Sequence, residues 1–407
     1  MADPVVAVVG GSLGGLRAAE QLRLAGHAGA ITVYGAEPHL PYNRPPLSKE
    51  LLADPEPRDL AALHARTAFR RRAVVDDVDF RLGARVVHAD LRAGTLRLAD
   101  GSQTAYDGLV VATGLRARRL DVPGPRAGRF ALRTLEDCAD LRVALGRRGS
   151  VVVVGAGFVG CEVACTLRSL GHRVTVVEPA GAPMARVLGD ALASAVQRHH
   201  ERSGLRFVIG RGVTGFAGTK EVTGVRLDDG RHLEAQVVVE AVGSVCNTEW
   251  LAANPGIDLE DGVRTDELLS VVGAPDAVAV GDLARFPNPL FDDVPRRVEH
   301  WSMPTDTAKR AAATLAARLR GAEPDPTPFR PVPSFWSDQG DLRFQSFGSP
   351  GLADEVHITE GDLTDLGSGV LATYLRAGAL VGYVALNLTP ARQRGLRDDF
   401  VSPAPTT

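Results

Sequence analysis

Two glycine-rich turns are the parts of this sequence whose chemistry is easiest to interpret. The first turn spans residues 10–15 and the second spans residues 155–160, and each follows a short apolar run typical of a buried parallel strand. A helix that starts at such a turn directs its N-terminal amides, and the positive end of its dipole, towards a phosphate. We therefore expect two binding sites for the pyrophosphate of a dinucleotide.

The second turn matches the pattern GxGxxG at every glycine position. The residues of this turn that we assign to a nicotinamide nucleotide are Gly155, Gly157, Phe158, Val159 and Gly160. Glu178 ends the next predicted strand, where a carboxylate accepts hydrogen bonds from ribose hydroxyls and repels a 2′-phosphate. No Arg or Lys follows until Arg186, so the pattern favours NADH over NADPH, although Glu178 also fits an ordinary surface acid. Arg186 and Gly243 complete the NADH assignment.

The first turn departs from the pattern at one position. Ser12 stands where the middle glycine is expected, and serine is small enough to let the backbone approach a pyrophosphate. Glu37 follows roughly 20 residues later, near the spacing expected of a ribose-binding acid. We predict a second dinucleotide site here, and the alternative is a turn with a purely structural role.

Two different dinucleotides have a chemical reason to occur together. NADH delivers a hydride, which carries two electrons, whereas many redox partners accept one electron at a time. A flavin accepts two electrons and releases them singly. We therefore expect FAD at the first turn and NADH at the second, with the nicotinamide and flavin rings meeting between the two domains.

The elements around the turns predict the fold class. Strands 5–9 and 31–34 flank the first helix, and strands 151–154 and 173–177 flank the second, so each turn belongs to a βαβ unit. A chain of 407 residues is too long for one hydrophobic core. The sequence predicts an α/β protein with two Rossmann-like dinucleotide-binding domains.

Domain boundaries follow from the positions of these units. We assign residues 1–112 and 243–322 to a discontinuous FAD-binding domain and residues 113–242 to an NADH-binding domain. A Pro-rich stretch, 324–333, is typical of a linker. The strands and turns that follow it predict a small C-terminal α+β domain, residues 323–407.

Six short segments carry a resemblance to a known family. They are residues 37–49 (EPHLPYNRPPLSK), 112–114 (ATG), 132–134 (LRT), 247–251 (NTEWL), 280–282 (VGD) and 335–339 (FWSDQ). With these segments the chain resembles the oxygenase-coupled ferredoxin and rubredoxin reductases, which are similar in fold to glutathione reductase and apoptosis-inducing factor. The resemblance covers nearly the whole chain and implies an NADH-dependent ferredoxin reductase.

The resemblance implies roles for individual residues. Pro45 and Lys49 would lie beside the flavin ring, with Lys49 near its N5 edge, and Trp301 would lie near the pyrimidine end. Glu162, in the first helical turn after Gly160, is either a carboxylate stabilised by the helix dipole or a contact to the nicotinamide ribose or carboxamide. The catalytic assignment is Lys49, Pro45 and Glu162. The FAD assignment is Gly10, Ser12, Leu13, Gly14, Gly15, Glu37, Arg44, Lys49, Val86, Ala112, Thr113, Gly114, Arg133, Gly281, Asp282 and Trp301.

The sequence also departs from the family at several positions. Ala36 stands where an acid is common, which puts the ribose role of Glu37 in doubt, and Cys246 replaces a usual proline. Gly340 stands where an aromatic residue is frequent, and Trp336 fits either the core or the face through which electrons leave. These departures weaken single assignments and leave the family resemblance intact.

Thiol chemistry is not expected. Disulfide reductases of similar fold need a cysteine pair against the flavin, and residues 42–49 contain no cysteine. Cys161 and Cys165 share a helical face, where an i,i+4 spacing is poorly placed for a disulfide. The four cysteines and ten histidines show no metal-ligand spacing, so we expect no metal site. His199 and His200 lie in a polar helical stretch and are expected to face solvent.

The partner and location follow from charge and hydropathy. A net charge of −3 gives no indication of nucleic-acid binding, and the longest apolar runs are too short to cross a bilayer. We expect a cytoplasmic monomer or weak homodimer that docks an acidic iron–sulfur ferredoxin on a basic patch. The candidate cations are Arg66, Arg70, Arg71, Arg72, Arg296, Arg297, Lys309 and Arg310, of which the last two are preferred.

Two other functions stay open from the sequence. A membrane-associated NADH:quinone reductase would need an amphipathic segment near the C-terminus, and residues 361–407 show none that is convincing. An NADH-sensing flavoprotein resembling apoptosis-inducing factor would form a long-lived charge-transfer complex in place of rapid turnover. A rubredoxin could also replace the ferredoxin as the electron acceptor.

Overall fold

A computed structural model describes residues 3–54, 56, 59–146 and 149–400. These residues form two compact units. The first contains residues 3–43, 66–116 and 245–333, and the second contains the described residues of 44–65, 117–244 and 334–400.

A six-stranded sheet organises the first unit. In spatial order its strands are Ser270–Val271, Ala274–Ala279, Gly108–Val111, Val6–Val9, Ile31–Tyr34 and Asp79–Arg81. All neighbours are parallel except the first pair. The central strands are rich in valine and fully buried, as expected for a parallel sheet that is covered on both faces.

Two helices of the first unit, Leu13–Leu24 and Met303–Leu319, pack against each other. Their small residues permit this close packing, and Leu16, Leu22 and Leu315 are fully buried in the shared core. The remaining elements are two three-stranded sheets and two 3₁₀ helices. The strands of one sheet are Val86–Asp90, Thr95–Leu98 and Gln103–Ala105, and those of the other are Val263–Arg264, Ala284–Asn288 and Asp292–Arg297. The two 3₁₀ helices are Ala73–Val75 and Glu249–Leu251.

A five-stranded parallel sheet organises the second unit. In spatial order its strands are Arg206–Ile209, Arg173–Glu178, Ser150–Val154, Val237–Glu240 and Arg129–Phe130. The helices of this unit before residue 334 are Pro45–Ser48 (3₁₀), Glu50–Ala53, Leu135–Leu145, Phe158–Ser169, Ala185–Leu188 and Asp190–Arg202. A small antiparallel sheet is formed by Val213–Ala217, Gly224–Leu227 and His232–Glu234.

The last part of the second unit is an antiparallel sheet. In spatial order its strands are Ser334–Gln339, Leu342–Gly348, Ala379–Leu386, Val370–Arg376 and Glu355–Glu360. It is followed by the helix Pro390–Arg394 and the 3₁₀ helix Gly395–Phe400, and two more 3₁₀ turns are Pro350–Leu352 and Leu366–Ser368. Three further elements contain the unit boundaries: the helix Leu60–Thr67 and the strands Leu115–Ala117 and Ser244–Cys246.

Both predicted βαβ units are confirmed, and residues 324–333, which were predicted as a linker, contain no helix or strand. Residues 232–240 form two strands that belong to different sheets. His232–Glu234 belongs to the antiparallel sheet and Val237–Glu240 to the parallel sheet, because the chain changes sheets at Gln236, whose side-chain oxygen accepts the Ser150 amide at 2.7 Å. The three-domain division remains a proposal, and residues 401–407 of its last domain lie outside the described residues. Within the described part, no helix is long and apolar enough to cross a bilayer.

Tyr374 joins the antiparallel sheet to the helix Ala185–Leu188. Its hydroxyl is buried and donates to the Leu188 carbonyl at 2.9 Å. Tyr374→Phe should lower the free energy of unfolding by about 1–3 kcal/mol, because a buried carbonyl loses its partner. Urea denaturation measures this loss. Tyr383→Phe is the control, since its partner Asp399 stays exposed and solvated, and equal losses in the two variants would contradict the interpretation.

Candidate dinucleotide and redox site

Close backbone approaches explain the glycines of the second turn. A Cβ on Gly155, which has φ +101°, would lie 2.3 Å from the Ala241 carbonyl oxygen. A Cβ on Gly160 would lie 2.1 Å from the Gly155 carbonyl oxygen. Gly157 differs from both, because its Cβ would meet no atom within 4 Å. Two glycines therefore shape the turn, and the third leaves open space beside it.

The helix Phe158–Ser169 begins at this open space. Gly157 is its N-cap residue and no side chain caps its first turn, so the amides at its positive end are available to an anion. Glu178 is fixed beside the turn, because its carboxylate accepts the Ala156 amide at 2.8 Å and the Ala180 amide at 3.0 Å. A carboxylate held at the end of the second strand is the arrangement that recognises an unphosphorylated ribose.

The other residues assigned to NADH divide into exposed and packed positions. Val159, Arg186 and Gly243 are exposed to solvent. Phe158 packs its ring edge-on against Phe335 of the C-terminal sheet, with ring centroids 4.8 Å apart. Phe158 therefore has a packing role in the second unit in addition to the predicted nucleotide contact.

The first turn has the same construction. A Cβ on Gly10, which has φ +129°, would lie 2.0 Å from the Ala112 carbonyl oxygen, and one on Gly15 would lie 1.9 Å from the Gly10 carbonyl oxygen. Gly14 lies against Val280, and its Cβ would meet the Val280 side chain at 3.4 Å. These residues lie together at the carboxyl edge of the sheet, where α/β proteins bind ligands.

Ser12 takes the N-cap position of the helix Leu13–Leu24. Its hydroxyl makes no capping hydrogen bond, so this helix also presents an uncapped positive end. Gly11, for which no role was predicted from the sequence, makes a close backbone approach: a Cβ there would lie 2.8 Å from the Gly35 Cα. The adjacent glycine at the end of the next strand was the available signal for this close approach.

Other residues assigned to FAD lie along the same edge of the first unit. The Thr113 hydroxyl donates to the backbone carbonyl of Asn247 at 2.6 Å, and the backbone amide of Asn247 donates to the Gly114 carbonyl at 3.0 Å. The Gly281 amide donates to the Thr307 hydroxyl at 2.9 Å, which holds Gly281 and Asp282 beside the start of the helix Met303–Leu319.

The remaining first-unit assignments are held by local contacts. Glu37 accepts the Tyr42 hydroxyl hydrogen at 2.5 Å, which engages one of its carboxylate oxygens. The Trp301 indole N–H donates to the Asn43 side-chain oxygen at 3.2 Å. Val86 is buried in the strand Val86–Asp90. The ribose role of Glu37 stays a prediction.

The second unit holds Arg44, Pro45, Lys49 and Arg133. The Arg44 guanidinium donates to the Arg133 carbonyl at 2.6 Å. The Lys49 ammonium lies 2.7 Å from a Glu162 carboxylate oxygen and 3.3 Å from the Pro45 carbonyl oxygen. All three residues of the catalytic assignment are therefore in one cluster.

Glu162 is buried at 6% exposure, and its charge is fully engaged. The Ser48 hydroxyl donates to one carboxylate oxygen at 2.6 Å, and the Ser337 hydroxyl donates to the other at 2.6 Å. A carboxylate that only complements the helix dipole would be left facing water, so the dipole alone does not explain this position. Sequence analysis assigned no role to Ser48 or Ser337.

The four cysteines are buried or partly buried. All four are free, and burial raises the pKa of each thiol, to about 11 for Cys138 and about 12 for Cys165. Cys138 lies close to residues 45–48, because its Sγ is 3.6 Å from the Leu47 carbonyl oxygen. It is nevertheless a protonated thiol and therefore a poor nucleophile.

Two expectations about charged surfaces are wrong. His200 is 1% exposed, because the helix Asp190–Arg202 turns it inward to bond Gln339 at 2.9 Å, and the His199 side chain is 15% exposed and bonds Asp341. Arg310 is not an exposed cation either: its side chain is 13% exposed and donates to the Asp325 carbonyl at 2.5 Å. Lys309 remains exposed.

The residues present fit two dinucleotides. Each turn combines obligatory glycines with an uncapped helix of twelve residues, and the Cβ direction of Gly157 is open where a pyrophosphate would approach. Two such turns in one chain define a class of oxidoreductases that use two dinucleotide cofactors.

The comparisons identify the family. Residues 4–309 match the family described as pyridine nucleotide-disulphide oxidoreductase, and residues 334–397 match the reductase C-terminal domain. The chain therefore belongs to the pyridine nucleotide-disulphide oxidoreductase family, and the resemblance and fold class predicted from the sequence are confirmed.

Individual relatives cover nearly the whole chain. Rhodocoxin reductase of Rhodococcus erythropolis is 35% identical over 94% of this chain and 86% of its own length. The structure of the ferredoxin reductase for the CYP199A2 system of Rhodopseudomonas palustris superimposes with a TM-score of 0.85, at 35% identity over 96% of this chain and 93% of that chain. The covalent putidaredoxin reductase–putidaredoxin complex gives a TM-score of 0.87, at 28% identity over 98% and 93%.

Gly157→Ala tests the second turn. The added methyl group meets no protein atom, so we expect the melting temperature to stay within about 2 °C of the parent. We expect the Kd for NADH to rise about tenfold, because the methyl group obstructs the pyrophosphate. Calorimetric titration measures this change. Gly395→Ala, where the added Cβ is equally open, is the control, and an unchanged Kd in Gly157→Ala would contradict the assignment.

The buried imidazole of His200 makes stability depend on pH. Burial lowers its pKa from the ordinary 6.5, while Cys165, His199 and Asp341 lie around it. Below pH 6.5 the unfolded chain binds a proton that the folded chain does not. The free energy of unfolding therefore decreases as the pH is lowered, by at most ~1.4 kcal/mol per pH unit. Urea denaturation from about pH 8 to about pH 5 should show a flatter profile for His200→Gln, and parallel profiles would contradict this.

Proposed function

We propose that this chain is an NADH-dependent, FAD-containing ferredoxin reductase that supplies electrons to an oxygenase. The observation that supports this proposal best is the buried Lys49–Glu162 pair, together with the lack of a cysteine in residues 42–49. Thiol-dependent relatives need a cysteine at the flavin, and this chain offers an ammonium and a carboxylate in its place. The names of two relatives support a small redox protein as the acceptor: one is rhodocoxin reductase, and the other is the ferredoxin reductase for the CYP199A2 system.

Each group in the site has a part in this function. The uncapped helix that starts at Gly157 binds the NADH pyrophosphate, and Glu178 accepts hydrogen bonds from the adenosine ribose. The Lys49 ammonium would supply a positive charge that stabilises the reduced flavin, and Glu162 holds that ammonium in position. The bound flavin supplies the conversion of one hydride into two single electrons. The protein contributes proximity, orientation and charge.

The electron acceptor is a small acidic iron–sulfur protein. Its docking surface needs exposed cations, and Arg70, Arg71 and Arg72 are exposed, as is Lys309. Arg296 and Arg297 are tied to acidic neighbours, which leaves them less charge to offer to a partner. We propose a monomer or weak homodimer in the cytoplasm, where the four free thiols stay reduced.

Stopped-flow spectroscopy tests this function. The purified protein should be yellow, and NADH should bleach its flavin band before mixing with a ferredoxin restores it. We expect kcat/KM for NADPH to be roughly tenfold or more below that for NADH, because Glu178 repels a 2′-phosphate by at least ~1.4 kcal/mol. Ferricyanide serves as a control acceptor that needs no docking.

Three outcomes would contradict the proposal. A colourless protein that cannot be reconstituted with FAD would exclude the flavoprotein. Equal use of NADPH would exclude the role of Glu178. A long-lived charge-transfer band with slow transfer to every ferredoxin and rubredoxin tried would indicate an NADH sensor.

A further inference from the structure

Buried polar side chains form a continuous chain within the second unit, starting at Glu162. The Ser337 hydroxyl lies 2.6 Å from Glu162 Oε1 and 3.1 Å from Gln339 Nε2. The Gln339 side-chain oxygen lies 2.9 Å from His200 Nε2, and His200 Nδ1 lies 3.7 Å from Cys165 Sγ. Ser337, Gln339 and His200 are each at most 1% exposed.

These hydrogen bonds have one consistent direction. The Gln339 side-chain oxygen can only accept, so His200 carries its hydrogen on Nε2 and its Nδ1 accepts from the Cys165 thiol, which burial keeps protonated. His200, whose pKa is lowered by burial, is neutral and donates from Nε2 to the Gln339 oxygen. The Gln339 amide donates to Ser337 Oγ and to Met184 Sδ, which leaves the single Ser337 hydrogen to donate to Glu162. Every donor in the chain therefore points towards the carboxylate.

Strand geometry explains why these two residues face inward. Along Ser334–Gln339 the side chains alternate, and Ser337 and Gln339 are buried whereas Trp336 and Asp338 are turned towards the surface. Core positions of a strand are normally apolar, so two polar residues in succession on the buried face need a polar partner. Ser337 meets Glu162, and Gln339 meets His200.

We propose that Ser337 is a positioning residue for the reduction site, supported by Gln339 and His200. By fixing one oxygen of Glu162, it leaves the other oxygen for Lys49 and Ser48. The C-terminal sheet thereby sets the position of the Lys49 ammonium. This inference rests on the proposed function, because Lys49 has a catalytic role only if the protein reduces its flavin with NADH.

Ser337→Ala tests the proposal. The holoenzyme of this variant is mixed with NADH in a stopped-flow instrument, and the limiting rate constant of flavin reduction is separated from the apparent Kd for NADH. We expect the limiting rate constant to fall about tenfold with less than a twofold change in Kd, because a charge-assisted hydrogen bond that orients the site is lost. Ser337→Thr, which keeps the hydroxyl, should recover at least about half of the lost rate.

Ser346→Ala is the matched control. Ser346 is fully buried on the adjacent strand Leu342–Gly348, and its hydroxyl has no hydrogen-bond partner among the described residues. Its removal should leave the limiting rate constant within about twofold of the parent. Flavin content, circular dichroism and reoxidation by ferricyanide are compared in all variants, so that a loss of folded holoenzyme is recognised.

A double-mutant cycle separates positioning from a general effect on folding. In a Glu162→Ala background Ser337→Ala should change the rate by less than about twofold, because nothing remains to be positioned. Equal rates for Ser337→Ala and Ser346→Ala, or an undiminished effect of Ser337→Ala in the Glu162→Ala background, would overturn the inference alone. A parent enzyme whose flavin is not reduced by NADH would overturn the proposed function and this inference together.

Discussion

A carboxylate inside a protein must be paired, since an isolated buried charge costs on the order of several kcal/mol. Glu162 meets this requirement with one ammonium and two hydroxyl groups, which come from two segments distant from it in sequence. The helix Phe158–Ser169 supplies the carboxylate, residues 45–49 supply Ser48 and Lys49, and the strand Ser334–Gln339 supplies Ser337. The local order of the second unit depends on these contacts, because removing any one of them leaves a buried charge undersatisfied.

The two turns solve a different problem, which is steric. Each needs a backbone path that passes within van der Waals distance of a neighbouring strand, and only glycine permits that path at Gly10 and Gly155. The result is a helix that begins immediately at the sheet edge with its amides uncapped. In the proposed function, rigid backbone would bind the pyrophosphates, and side chains would discriminate between ribose groups and orient the rings.

The sequence predicted the parts of this arrangement that are local. Glycine spacing, valine-rich strands and the following helices lie within one βαβ unit, so pattern and structure coincide there. The family resemblance gave the assignment of Lys49, and the position after the second turn gave that of Glu162; only the three-dimensional structure brings the two into contact. The sequence did not predict that the side chains of Ser337, Gln339 and His200 are buried and joined by hydrogen bonds. A serine and a glutamine on a strand normally face water, and two adjacent histidines on a helix point in directions about 100° apart, which the sequence alone does not orient.

Reduced flavins react with dioxygen, and the hydrogen peroxide formed attacks thiolates much faster than thiols. Burial holds all four cysteines of this chain in the thiol form. A chain that transfers electrons without sulfur has no cysteine whose oxidation would interrupt catalysis, and its remaining cysteines are of the unreactive kind. An ammonium–carboxylate pair such as Lys49–Glu162, unlike a thiol relay, has no sulfur atom that such an oxidant could attack.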